Sequence, residues 1–265
     1  MIPIIISGAK GRMGAALISC ALESGDFEIA GAVEASGHPD IGCTLSGHDR
    51  PGIILADHIQ KDAIGKGAVL IEFTSPEATM INLEHAEKAA IPVVIGTTGL
   101  KPAQEARIRE AARSIPVCYA SNMSIGMNLL FQVVRRAAEI LGADYDIEIF
   151  ETHHRFKKDA PSGSARTLAE AAAAGLGVAP GEAVIHGRSG MVGDRPRGQI
   201  GVHALRAGDV VGEHTVMFGT LGERLELTHR CHSRSTFARG ALRAAQFIYR
   251  REPGLVDMRD VLGLR

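Results

Sequence analysis

Tryptophan is absent from this chain, and aromatic residues make up only 4% of it. Its core must therefore rest on Ala, Val, Ile and Leu, which suits helices packed on a parallel sheet better than an all-β sandwich. An excess of charge of one sign is also missing, since the formal net charge is −1. No global field draws the chain to nucleic acid or to an anionic membrane, so any bound anion must be held by a local cluster. No apolar stretch approaches the length of a membrane span. The four cysteines, Cys20, Cys43, Cys118 and Cys231, form no CxxC pair. That argues against a disulfide framework or a zinc site and points to a reducing, cytoplasmic setting. Residues 1–7 form a short apolar run with no basic residues ahead of it, which reads as a strand and not as a signal peptide.

What is present is an ordinary globular mix of 45% apolar and 22% charged residues over 265 positions. That is enough for one large domain or two small ones. Residues 2–7 are β-rich and end at glycine, 13–22 carry apolar residues at helical spacing, and 28–33 form a second strand candidate. Together these make a β-α-β unit. The alternation continues through strands at 68–73, 92–95 and 116–119 and helices at 76–90 and 101–113. The pattern changes after about residue 122: a long helix candidate at 125–141, a half-exposed strand at 145–152 and a helix at 162–174. Four β-rich runs follow, at 183–187, 199–205, 213–218 and 224–228, before a last helical segment at 235–250. The expectation is an α/β parallel-sheet domain plus a smaller α+β domain with a mixed or antiparallel sheet.

The first motif, Gly8-Ala9-Lys10-Gly11-Arg12-Met13-Gly14, lies on the first β-α turn. Glycines let backbone approach a pyrophosphate, and the free N–H groups at a helix start favour the anion. The spacing is GxxGxxG and not the commoner GxGxxG, so the spacing alone also fits a glycine-rich turn without a ligand. Context favours a dinucleotide, because Glu34 follows the second strand, where a carboxylate accepts from the adenosine ribose hydroxyls. Ala35 comes next and supplies no cation for a 2′-phosphate, although Lys10 or Arg12 could substitute. The expected cofactor is NADH, NADPH or both, with NADH at least as good. Gly96-Thr97-Thr98-Gly99 and Ala120-Ser121-Asn122-Met123 end later strands. Both can reach the nicotinamide end, or they are plain loops capped by Thr98 or Ser121.

The densest polar segment is Glu151-Thr152-His153-His154-Arg155-Phe156-Lys157-Lys158-Asp159-Ala160-Pro161-Ser162-Gly163-Ser164-Ala165. His153 and Lys157 can each carry a proton. His154, Arg155 and the lysines can pair with carboxylates, and Pro161-Ser162-Gly163-Ser164 opens a helix whose N–H groups form an anion seat. A small dianionic substrate fits this set. The bland alternatives are a solvated cationic face and a simple Ser162 cap. Adjacent histidines on a strand point to opposite faces and no third ligand has suitable spacing, so no metal is expected.

These motifs, taken in order with Ser121-Asn122-Met123-Ser124-Ile125-Gly126-Met127-Asn128, Arg195-Pro196-Arg197-Gly198, Gly212-Glu213-His214-Thr215 and Thr228-His229-Arg230, resemble the bacterial dihydrodipicolinate reductases over essentially the full length. The resemblance implies a Rossmann-type domain at 1–124 and 234–265 and a substrate-binding and tetramerisation domain at 125–233. It implies reduction of 4-hydroxy-tetrahydrodipicolinate, a cyclic dicarboxylate, to tetrahydrodipicolinate in diaminopimelate and lysine biosynthesis. It also implies His153 as proton donor or acceptor, Lys157 as proton donor, His154 as a substrate ligand, and Gly163 with Ser164 as a carboxylate seat. Dinucleotide contacts would fall on residues 8–13, Glu34, 96–98 and 120–123. Ser164 stands where Thr is frequent and keeps the hydroxyl. A different two-domain dehydrogenase, or a redox sensor that holds NAD(H) without chemistry, shares the glycine loop but has no need of the 151–165 segment.

Overall fold

The computed structural model describes residues 1–45, 52–60, 63, 65 and 67–264. The chain divides into two compact units, Met1–Ile125 with Arg234–Arg265, and Gly126–Ser233.

The first unit carries a seven-stranded sheet. Its strands are β1 (Ile2–Ser7), β2 (Phe27–Val33), β3 (Leu55–Ala56), β4 (Val69–Glu72), β5 (Val93–Ile95), β6 (Pro116–Tyr119) and β12 (Gly254–Val256). They lie in the order β12-β6-β5-β4-β1-β2-β3, and each pairing is parallel. The strand–helix alternation predicts a parallel sheet, though not its strand order. The apolar run of β1 is buried on both faces because it is an interior strand with helices packed on either side. Ile4 and Ile6 pack in one cluster with Leu17 and Ala21 of α1 (Arg12–Ser24) and Ala241 and Ala245 of α7 (Ser235–Ile248). Ile5 packs in another with Leu83 of α2 (Pro76–Lys88) and Ile108 of α3 (Pro102–Ala111). Each such side chain, fully buried, contributes roughly 1.5–3 kcal/mol.

Among the described residues two strands and two α-helices went unforeseen: β3, β12, the second unit's α6 (Pro180–Ala183) and α8 (Met258–Leu262). Their runs of two to five residues are too short to display a period. The strand order has one consequence for function. The chain moves from β1 outward to β2 and β3, then returns to place β4 on β1's other side. The crevice at such a reversal, beyond the strands' C-terminal ends, is where open parallel sheets hold ligands.

The second unit has a five-stranded mixed sheet in the order β11-β10-β7-β9-β8. The strands are β7 (Asp146–His153), β8 (Val184–His186), β9 (Ile200–Arg206), β10 (Gly212–Thr220) and β11 (Glu223–Cys231). β7 is central, antiparallel to β10 and parallel to β9. Ile147 and Ile149 of β7, Val202 of β9, and Val216 and Phe218 of β10 point to one face. There they meet Val134 of α4 (Ile125–Leu141) and Leu168 and Ala172 of α5 (Gly163–Leu176). In the opposite phase Glu148 is buried against Arg188, Arg195 and His203, while Phe150 on β7 and Leu205 on β9 stay accessible.

Candidate active site

The glycine loop follows β1 at the reversal point. Gly8 has φ +67, and a Cβ on it would lie 2.9 Å from Thr74 Cγ2. A side chain is excluded there by backbone and by space alike. A Cβ on Gly14 would lie 2.2 Å from Gly8 O and 2.6 Å from Ala9 Cα, so α1 packs directly on the loop. The loop is tied down by Gly11 N–H donating to Gly8 O at 2.9 Å and Ala9 N–H donating to Val33 O at 3.1 Å. Glu34, just past β2, faces the same loop: Oε2 accepts from Lys10 N–H at 3.1 Å and Oε1 from Ala35 N–H at 3.0 Å. The side chain of Lys10 turns to Asp40, Nζ to Oδ2 2.7 Å. This ion pair raises the lysine's pKa and lowers the aspartate's. A cavity of about 130 Å³ opens beside them, lined also by Cys43, Thr44, Leu45 and Leu55.

Beneath the loop lies a polar network that sequence reading missed. Asn82 Nδ2 donates to Ser7 Oγ at 3.0 Å and to Glu72 Oε2 at 2.7 Å, and Thr74 Oγ1 donates to Glu72 Oε1. Burial raises the Glu72 pKa, and the hydrogen bonds from Thr74 and Asn82 offset only part of that. Thr97 joins this network. Its buried hydroxyl accepts from Thr74 N–H at 3.2 Å and Thr79 Oγ1 at 2.8 Å, so only its backbone can face a ligand. Met123 likewise sends its side chain into the core. Thr98 and Ser121 are exposed, and Gly96 is closed over by the Phe73 ring, which a Cβ would overlap. Asn122 Oδ1 accepts from Ser124 N–H at 2.8 Å. All these loops follow the C-terminal ends of β1, β2, β4, β5 and β6, hence one edge of the sheet.

In the second unit, β7 alternates Ile147, Ile149, Glu151 and His153 toward the helix-covered face. Glu151 is fully buried. His153 Nδ1 lies 2.5 Å from its Oε2. Arg206 of β9 spans both oxygens, at 2.8 and 3.0 Å, and Ser162 N–H donates to Oε1 at 3.0 Å. Burial works against the charged form, but hydrogen bonds from His153 and Arg206 outweigh it and hold the carboxyl down at about 2. Ser162 caps α5, its Oγ accepting from Ala165 N–H at 3.1 Å. Gly163 and Ser164 follow the cap as the first two residues of α5. His214 of β10 sits opposite Glu151 in register and edge-on to His153, with ring centroids 5.2 Å apart. Burial pushes its pKa down to about 3.

The connection from β7 to α5 is pinned at its start by Arg155 N–H donating to Gly208 O at 3.1 Å and Ala207 N–H donating to His153 O at 2.9 Å. Lys157 Nζ pairs with Asp159 Oδ1 at 2.9 Å, which holds Asp159 below the usual carboxylate range against its partial burial. Arg155 and Phe156 are exposed, the guanidinium 5.9 Å from the ring centroid. His153, Lys157, Gly163 and Ser164 thus share one end of the sheet with Glu151, Arg206 and His214. The last three carried no role in the sequence reading. One signal was available for Glu151, a charged residue in the inward phase of a strand.

Comparison with known proteins identifies the family. Residues 2–123 match the family model "Dihydrodipicolinate reductase, N-terminus" and residues 126–262 match "Dihydrodipicolinate reductase, C-terminus". The 4-hydroxy-tetrahydrodipicolinate reductase of Syntrophus aciditrophicus (strain SB) is 49% identical over 272 aligned positions, covering 100% of both chains. That of Anaeromyxobacter dehalogenans (strain 2CP-1) is 47% identical, covering 100% of this chain and 99% of the relative. A dipicolinate-bound dihydrodipicolinate reductase from Paenisporosarcina sp. TG-14 superposes with a TM-score of 0.73 at 23% identity over 97% of each chain, a likeness of fold. With both halves matched and near-half identity sustained from end to end, the chain belongs to the dihydrodipicolinate reductase family.

Proposed function

We propose that this chain reduces 4-hydroxy-tetrahydrodipicolinate to tetrahydrodipicolinate with NADH or NADPH, in the diaminopimelate route to lysine. The observation that carries the proposal is the gathering of two proton carriers, His153 and Lys157, with the start of α5 at one end of the second sheet. The full-length relatives named for this reaction support it, as does the family member solved with dipicolinate, a cyclic dicarboxylate.

The cradle fits a dinucleotide. Gly8 and Gly14 leave no Cβ where the pyrophosphate must approach, and Glu34 is held toward the ribose side by two backbone N–H groups. When bound, the nicotinamide supplies a hydride to the electron-poor ring. The rest is the chain's work. The amides of Gly163 and Ser164 take one substrate carboxylate, and His154 contacts the substrate. His153 and Lys157 carry the proton that must accompany the hydride, each beside an acid, Glu151 and Asp159. Holding both reactants in place contributes much of the rate.

The decisive experiment follows NADH and NADPH oxidation with freshly made dihydrodipicolinate synthase product. Lys157→Ala should lose most of kcat and keep its NADH affinity, and full turnover in that variant would reject the role. The four cysteines, unpaired in the structure, fit a cytoplasmic enzyme. A homotetramer is the proposed assembly, built through the accessible face of the second unit's sheet.

A further inference from the structure

Glu151 is a buried charge whose desolvation is outweighed by its hydrogen-bond partners. A side chain in the inward phase of β7 needs only to be apolar, as Ile147 and Ile149 are. A hydrophobic residue of similar size would fill the space without desolvating a carboxylate and a guanidinium. The partners instead point to the reaction. An ionised carboxylate only accepts hydrogen bonds, so the Nδ1 of His153, 2.5 Å from Oε2, must carry the proton of that contact. Nε2 is then the atom left to exchange a proton. It faces Gly212 of β10, where a Cβ would stand 3.0 Å away, so glycine leaves the room it needs. The other carboxylate oxygen accepts from Ser162 N–H, the residue that caps α5 immediately before Gly163 and Ser164. One carboxylate therefore holds the proton carrier and the carboxylate seat at a fixed separation. Bidentate Arg206 locks that carboxylate's rotation.

We propose that Glu151 is the positioning residue for proton transfer: it fixes His153 with its proton on Nδ1 and Nε2 free to exchange, and through Ser162 it registers the start of α5 to that histidine. The inference rests on the reductase function proposed above. Other charged or titratable groups around His153 are Arg206 from β9, His214 from β10, and Lys157 and Asp159 in the following loop. Of these, Glu151 is the one hydrogen-bonded to the ring at Nδ1.

Three enzymes test it: Glu151→Gln, His153→Ala and the double variant, assayed with freshly made dihydrodipicolinate synthase product and NADH. Glu151→Gln should lower kcat about a hundredfold and raise the substrate KM by less than about threefold. In the His153→Ala background the same change should cost almost nothing further, because the two act as a unit. Full kcat in Glu151→Gln, or losses that simply multiply in the double variant, would overturn the proposal. A variant that fails to fold does not remove the test. In wild-type enzyme labelled with ¹⁵N-histidine, the His153 signal, identified by its loss in His153→Ala, should report the Nδ1–H tautomer of the neutral ring. The Nε2–H tautomer would overturn the proposal. If wild-type enzyme oxidises no NADH with this substrate, the reductase function fails, while the tautomer still decides what Glu151 does.

Discussion

Ser162 Oγ and His214 Nε2 lie 3.0 Å apart in the interior of the second unit, and the same hydroxyl accepts the N–H of Ala165. The cap of α5 is thus tied to β10, a strand far away in sequence. His214 in turn faces Glu151 across the β7–β10 register. Burial keeps a histidine in this place neutral, and the His153 ring beside it acts in the same direction, against the pull of Glu151.

Neutrality has a signature in pH. Burial depresses the His214 pKa from 6.5 to about 3, so the unfolded chain takes up this proton first. The stability the group contributes is complete above about pH 6.5 and is lost as pH falls toward about 3, with a slope of at most about 1.4 kcal/mol per pH unit. Glu151 acts lower. Its depressed pKa contributes stability above its ordinary value of 4.5, lost as pH falls through about 2. Between about pH 6.5 and 4.5 the two effects are separable. Urea midpoints of His214→Gln should fall less steeply than wild type in that window. Parallel slopes would mean that His214 is charged in the folded protein.

Gly14 carries a second prediction. A Cβ there overlaps Gly8 O and the Ala9 backbone, whereas a Cβ on Gly11 comes only to 3.1 Å from Gly8 O. Gly14→Ala must push α1 off the loop, at a cost of about 1–3 kcal/mol, and should weaken NADH binding by about tenfold or more. Gly11→Ala should do less on both measures. Fluorescence titration with NADH and thermal melts of the two variants check the order, and Gly14→Ala that binds NADH like wild type would sink it.

Much of this was legible in the sequence, and the limits have physical causes. Buried strands such as β1 and β4 are continuous apolar runs, so local pattern suffices to find them. The glycine loop and the 151–165 segment are local as well, because strand end, loop and helix start follow one another in the chain. The network around Glu151 is not local. Arg206 and His214 reach it only through the register of β9 and β10 against β7, and register is a property of long-range pairing. The inward direction of Thr97 and Met123 was equally out of reach, since each is set by neighbours on other elements.

Asp40 offers a test of cofactor choice. Glu34 places a carboxylate at the ribose side of the loop, and Lys10 on the same loop is engaged by Asp40 at 2.7 Å. A 2′-phosphate must compete for that lysine and tolerate that carboxylate, which favours NADH. Asp40→Asn releases Lys10 and should raise the NADPH-to-NADH ratio of kcat/KM by about two- to fivefold, most clearly at low salt. An unchanged ratio, or a wild type that strongly prefers NADPH, would contradict this account.

The accessible face of the second sheet supplies the last prediction. Helices α4 and α5 cover one face. On the other, Phe150 stacks on His203 with centroids 5.3 Å apart yet stays 37% exposed, and Leu205 is 47% exposed. Burying such side chains against a second copy contributes roughly 1.5–3 kcal/mol each, and the same patch on both copies makes a two-fold interface, the unit from which a tetramer is built. A charge on this face disturbs assembly and not the core, because Phe150 and Leu205 point away from Ile149 and Val202. The double variant Phe150→Arg, Leu205→Arg should therefore keep its circular dichroism and sediment as a smaller species than wild type. If the variant sediments like wild type, this face is not the interface. If wild type itself sediments as a monomer at micromolar concentration, the tetramer is wrong.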